Sequence, residues 1–209
     1  MNPLKMLVVA VIAAVAAIAL LGASDASATI FCKTAPQNND CPDGWHWPAN
    51  TPIHLSLSET FSHAAGTSNT CTETTTKGRT TNTGSSVETI NMVIESITYA
   101  KCTCQTNVIT NGALEFHHKS GTNDATYTGK NHEVTMNCAG VSCIYGTSST
   151  GTNLGTLTAS ATGTSAAVLD LEATVPKKSG GFLCPSTATW AGQYTFTEPK
   201  PLYITDTLG

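Results

Sequence analysis

Short runs in which apolar and polar residues alternate recur along this chain from Ile53 to Phe196. A period of two puts successive side chains on opposite faces, so each run reads as a strand with one apolar face. Ile53, Leu55 and Leu57 alternate with His54, Ser56 and Ser58, and Ile90, Met92 and Ile94 with Asn91 and Val93. Ile97 and Tyr99 resume the second run after a phase slip, which predicts a β-bulge. Leu114 and Phe116 follow Asn111-Gly112, the dipeptide that most favours a tight hairpin. Val134, Met136 and Cys138 make a further set. Leu169, Leu171, Ala173 and Val175 face away from Asp170, Glu172 and Thr174, and Trp190, Gly192, Tyr194 and Phe196 close the series.

Turn signals separate these runs roughly every ten residues, the spacing of antiparallel all-β folds. Residues 84–101 also carry Val87, Ile90, Ile94 and Ile97 at helical spacing. Their β-branched density and the abundant threonine favour strand. The expected fold is one all-β domain, an antiparallel β-sandwich or open barrel, over residues 51–209. Residues 29–50, with Cys32, Cys41 and Trp45-His46-Trp47, read as an irregular N-terminal arm stapled by a disulfide. Thr67 to Ser86 is almost entirely Thr, Ser, Asn, Gly and charge, with only Cys71 to anchor it. That composition predicts an exposed edge hairpin or a flexible loop.

Residues 1–28 read as a secretory signal peptide. Lys5 is a basic start, Met6 to Leu21 is apolar, and Ala26-Ser27-Ala28 offers the small residues a signal peptidase reads. No basic cluster follows to retain an anchor, and bulky Phe31 before Cys32 argues against lipid attachment. The mature protein is expected to start at Thr29, to be secreted or extracytoplasmic, and not to span a membrane.

All eight cysteines, Cys32, Cys41, Cys71, Cys102, Cys104, Cys138, Cys143 and Cys184, lie beyond the leader. In an oxidising compartment an even number reads as four disulfides, for which on the order of 100 connectivities exist. Local pairing is expected for Cys32 with Cys41, and for Cys138 with Cys143 across a turn. Cys71, Cys102, Cys104 and Cys184 remain for long-range bridges; Cys102 and Cys104 share a face and are badly placed to bond each other.

Charge narrows the function classes. Ten basic residues stand against 14 acidic ones, Arg79 is the only arginine, and no basic run exists to neutralise phosphates. Nucleic-acid binding is thereby excluded. No hydrolase elbow, zinc-protease helix, phosphate loop or calcium loop occurs, so no cofactor and no metal is expected. His117, His118, His132, Glu133 and Asp124 offer cation ligands, but neighbours on a strand face opposite ways, and solvated outer positions are the expected reading. Asp170 and Glu172 share a strand face about 7 Å apart, a spacing a glycoside hydrolase uses, yet inside–outside alternation already accounts for them. Trp45, Trp47 and Tyr203 are the candidate ligand-binding residues, as a sugar-stacking surface. The competing role for either tryptophan is a plug that holds the arm.

One resemblance supplements this. Gly155-Thr156-Leu157-Thr158, Leu169 through Pro176, Gly181-Phe182-Leu183-Cys184-Pro185, Ala188-Thr189-Trp190 through Tyr194, and Pro201-Leu202-Tyr203-Ile204 form a connected pattern. With Cys102-x-Cys104 and Asn111-Gly112, the stretch from Cys71 to Ile204 resembles a group of small exported bacterial proteins, common in actinobacteria, without an established activity. The resemblance implies an extracytoplasmic all-β protein and carries no catalytic residues. The expectation is a non-catalytic structural or interaction protein of the cell surface or medium. Its alternative is a carbohydrate- or small-ligand-binding module, and a glycan-active hydrolase comes third. Cell-wall polysaccharide or another surface protein is the expected partner.

Overall fold

A computed structural model describes residues 28–208 except 39, 60 and 66; the expected signal sequence, apart from its last residue, Ala28, lies outside the described residues. No helix occurs among them. The strands are β1 (Ile30–Cys32), β2 (Asp40–Cys41), β3 (Pro52–Leu57), β4 (Phe61–Ala65), β5 (Thr67–Thr80), β6 (Ile90–Cys102), β7 (Gln105–Thr110) and β8 (Ala113–His118). They continue with β9 (Asp124–Lys130), β10 (Glu133–Cys138), β11 (Val141–Gly146), β12 (Thr152–Thr158), β13 (Val168–Gly180), β14 (Thr187–Glu198), β15 (Tyr203–Thr205) and β16 (Thr207–Leu208).

Backbone pairing closes on itself. Around the ring run β3, β14, β13, β12, β9, β8, β6 and β5, and β5 pairs back onto β3. Every pair in this ring is antiparallel. The result is an up-and-down barrel whose opposed walls pack through their inward side chains, as the layers of a sandwich do. Closure removes the strand edges around the half of the barrel where β6 pairs with β8.

Several strands are broken at mid-height. β3 and β4 lie end to end, each pairing with β14 on one side and β5 on the other. β7 runs on into β8, β9 into β10, and β11 into β12. The lower pieces pair in the order β7, β10, β11 and rejoin the ring on the far half of β13. Between β6 and β7 the ladder is split. From Ser96 onward β6 pairs with β5, and β7 pairs with β10, with no ladder joining them.

The phase slip in β6 is a bulge. Lys77 pairs with Ser96 and Gly78 with Ile94, so Glu95 is the extra residue. Ile90, Met92 and Ile94 point inward before it, Ile97 and Tyr99 after it. Asn111-Gly112 is not the hairpin its composition favours. The chain passes straight on from β7 to β8, while the side chain of Asn111 donates to the carbonyl of Glu95 (2.7 Å). Gly112 takes φ 75°, and a Cβ there would collide with the facing backbone at Lys130 and Asn131. The tight reversal instead sits at Ala139-Gly140, both at positive φ.

Thr67 to Ser86 also corrects the expectation of a loop or edge. Its first fourteen residues are β5, a wall strand paired on both sides. Thr74, Thr76 and Thr80 are buried. Threonine satisfies both demands of such a position, a β-branched shape for the pleat and a hydroxyl that bonds locally. Thr80 does so by accepting from Thr51 N–H and donating to Pro48 O.

The two ends of the barrel are finished differently. At one, β1 pairs with β15 and drives Phe31, fully buried, against Phe116, ring centroids 5.3 Å apart. Cys32–Cys41 staples this arm. At the other end lie Cys71–Cys102, Cys104–Cys138 and Cys143–Cys184. The expected local bridge between Cys138 and Cys143 does not form. The β10–β11 register sets Cys138 opposite Val141 and Cys143 opposite Met136, so the two sulfurs are offset along the ladder.

Candidate functional site

The inward faces of the ring line a partly open apolar cavity of about 60 Å³. Leu55, Ile94, Ile97, Leu114, Leu169 and Leu171 supply most of its wall, with the rings of Tyr99, Tyr127, Trp190 and Tyr194. A volume of that kind holds on the order of four to six water-sized positions. Ile97, Tyr99 and His132 place one side of it at the split between β6 and β7.

His132 is the polar centre of this wall. Alternation in β9 turns Ala125 and Tyr127 inward, and in β10 it turns Val134 and Met136 inward. Asn131, at φ 55°, inserts the residue that reverses parity between the two and swings His132 into the barrel. Its Nδ1 lies 2.9 Å from Thr110 O and 3.0 Å from Asn111 O. Carbonyl oxygens only accept, so Nδ1 carries the proton. The ring packs edge-on against Trp190, centroids 5.5 Å apart. Burial pushes the His132 pKa below its ordinary value, against the opposing effect of those two carbonyls. The imidazole is therefore neutral, and Nε2 presents a lone pair 3.4 Å from the hydroxyl of Tyr99.

Three phenols converge nearby. Burial raises the pKa of Tyr99 far above the usual tyrosine range, and that of Tyr194 by burial first and then by the proximity of Tyr99 and Tyr127. Burial, then Asp170, does the same for Tyr127, whose hydroxyl donates to Asp170 O (3.3 Å). All three stay neutral hydroxyls at any physiological pH. The interior is thus apolar, uncharged and provided with a few hydrogen-bonding groups, the usual make-up of a small-molecule site.

The residues singled out from sequence are dispersed. Trp45 is 54% exposed, whereas Trp47 is half-buried against the main core with the Lys33 ammonium 5.3 Å from its ring centre. Tyr203 is buried in a small cluster with Ile30, Cys32 and Cys41. Cys32 lies opposite both Tyr203 and His46, so His46 shares Tyr203's face and the two tryptophans take the other. The three aromatics do not make one platform, and the plug of the barrel is Phe31.

His118 and His132 are not the solvated outer positions expected; both are buried. His118 sits under the arm, Nε2 2.6 Å from Thr122 O and Nδ1 3.3 Å from the Asp206 carboxylate, while its backbone N–H donates to Thr29 Oγ1. His117 faces outward beside Thr126, and Asp124 accepts from Ala159 N–H (3.4 Å). Glu133 is half-exposed. Among the described residues no three His, Cys, Asp or Glu side chains converge on a metal position. Asp170 accepts from Gln193 Nε2 (2.8 Å) on the outer wall, and Glu172 is exposed beside it.

Sequence reasoning missed Tyr99, Tyr127, Tyr194 and Trp190 as a site because each reads equally well as core. Buried tyrosine hydroxyls facing one another were the available signal. In comparisons with known proteins the chain matches no family model, no curated protein and no solved structure.

Proposed function

We propose that this is a non-catalytic exported binding protein that takes a small, mostly apolar molecule into its barrel. The observation that supports this reading is the apolar cavity walled by Leu171, Trp190 and Tyr194 and edged by neutral His132. A chain built only as a scaffold gains stability by filling such a space. The outward strand faces are polar, with Thr72, Thr75, Lys77, Thr126, Thr128, Glu172 and Thr189 among them, the reverse of a membrane-spanning barrel. Export is supported by four disulfides, which persist in oxidising compartments, and by the leader that ends at Ala28. The test is methyl NMR of the purified protein under xenon, a probe small enough for a space of this size. The resonances of Ile94, Ile97, Leu169 and Leu171 are expected to shift together and saturably; no shift under xenon would overturn the reading.

A second reading, docking at the cell surface, is favoured by apolar side chains that point outward. Phe182 is 94% and Leu183 62% exposed on the β13–β14 loop, and Trp45 projects from the arm at the other end. Under that reading, retention on cell-wall polysaccharide or on a partner protein falls in Trp45→Ala or Phe182→Ser while the melting temperature holds.

A further inference from the structure

We propose that a cleft between the N-terminal arm and the end of β14 binds one pyranose ring of a neutral saccharide. The cleft shares no lining residue with the barrel cavity, so it does not depend on what the barrel holds.

A bulge builds it. Ile53 and Leu55 turn inward on β3, so His54 between them turns outward. On β14 Phe196 is inward, and strict alternation would return Glu198 to the core. The register instead steps from Phe196–Leu55 to Glu198–His54, which makes Thr197 an extra residue and brings Glu198 out beside His54. His54 Nδ1 lies 3.0 Å from Glu198 Oε2. The chain then passes buried Pro199 to reach exposed Lys200.

With Trp47 and Pro52 these residues border a partly open cleft of about 360 Å³. That is more than twice the roughly 150 Å³ that holds benzene, and it falls within the range of small-molecule sites. A six-membered ring with its hydroxyls has room there.

The polar lining is mostly acceptor. Thr51 Oγ1 donates to Pro48 O (2.6 Å) and Thr197 Oγ1 to His54 O (3.2 Å), so both hydroxyl protons are spent and lone pairs remain. Glu198 keeps Oε1, since His54 engages Oε2. Against these stands one donor, Lys200 Nζ, which makes no ion pair among the described residues. A complementary ligand therefore brings several O–H donors and at least one acceptor. Glu198 disfavours a carboxylate and Lys200 an ammonium, so that ligand is neutral. Trp47, Pro52 and Pro199 add apolar surface for a face of C–H groups. A pyranose presents that face and a hydroxyl rim together.

Amide NMR of the full mature protein titrated with methyl β-glucopyranoside, methyl β-galactopyranoside and N-acetylglucosamine tests this, with glycylglycine as the peptide alternative. Expected are saturable shifts of the His54, Thr197, Glu198 and Lys200 amides with at least one of the three sugars, and none with glycylglycine. Glu198→Gln and Lys200→Ala should each weaken that sugar about tenfold, the loss of one hydrogen bond to a charged group. Trp47→Ala should weaken it further; should that variant fold poorly, the two exposed positions carry the test. Glu172→Gln, on the outer wall and outside the cleft, should leave the affinity unchanged. No shift with any of the three sugars, saturable shifts with glycylglycine in their place, or unchanged sugar affinity in both Glu198→Gln and Lys200→Ala would each overturn the proposal.

Discussion

Cys102 and Cys104 stand two residues apart and are bonded in opposite directions, the first to Cys71 on β5 and the second to Cys138 on β10. They sit at the turn where β6 gives way to β7, so each bridge ties one lip of the split to the neighbouring strand. Asn69, fully buried, holds the turn between them. Its amide nitrogen donates to Thr106 Oγ1 (2.7 Å), and its carbonyl accepts from Cys104 N–H (2.9 Å).

Removing a bridge at this end should cost more than removing the arm's staple. Cys71–Cys102, Cys104–Cys138 and Cys143–Cys184 span 31, 34 and 41 residues, against 9 for Cys32–Cys41. Chain entropy then assigns roughly 3.5–4 kcal/mol to each long bridge and about 2.5 to the short one. Urea unfolding of the paired serine variants measures the difference. Non-reducing peptide maps should show Cys104 with Cys138; finding Cys138 with Cys143 would contradict the register of β10 and β11.

Trp190→Ala should destabilise by about 3–5 kcal/mol, because the indole is almost fully buried and its loss enlarges a space that already exists. Trp45→Ala, at a half-exposed position, should stay within about 0.5 kcal/mol of the parent protein. A melting temperature equally lowered in both variants would refute this contrast.

Stability should fall on mild acidification, in part through His132. Burial holds its folded pKa below the ordinary 6.5. Above that value both folded and unfolded chains carry a neutral ring and the contribution is complete. As pH drops below 6.5 the unfolded chain takes up a proton that the folded chain refuses, and stability declines until the folded pKa is reached. His132→Phe should therefore flatten the plot of unfolding free energy against pH just below that value. An unchanged slope would show that the ring titrates equally in both states.

Thr29 is fully buried, its N–H donating to Glu88 O (3.0 Å), while Ala28 is only partly covered. N-terminal sequencing of secreted protein should begin at Thr29. Intact leader in a membrane fraction would refute cleavage after Ala28.

The face of most strands was legible because alternation is local. Leu169 to Val175 and Trp190 to Phe196 turn inward as their spacing requires. Closure was not legible, since the pairing of β14 with β3 depends on partners more than a hundred residues apart. The histidines are an intermediate case. Extending the Val134–Met136 alternation back one step, and the Leu114–Phe116 alternation forward one step, points His132 and His118 into the barrel. Polarity argued the other way, and parity won because backbone carbonyls at Thr110, Asn111 and Thr122 were in place to receive the rings. Asn111-Gly112 misled for a related reason. Positive φ at glycine serves a kink in a continuing strand as well as a reversal, and only the facing strand decides which.

One stretch of ladder escapes the breaks that interrupt the others. From Val168–Thr195 to Pro176–Thr187, β13 and β14 pair without a register shift. Around the ring, equal numbers of strands separate this ribbon from the gap between β6 and β7 on either side. The wall is therefore least paired directly across from the ribbon where it is most continuous. That gap is a framed window, closed at one end by the short Cys102–Gln105 connection and at the other by the bond from Ile94 N–H to Gly112 O and the ladder between β6 and β8.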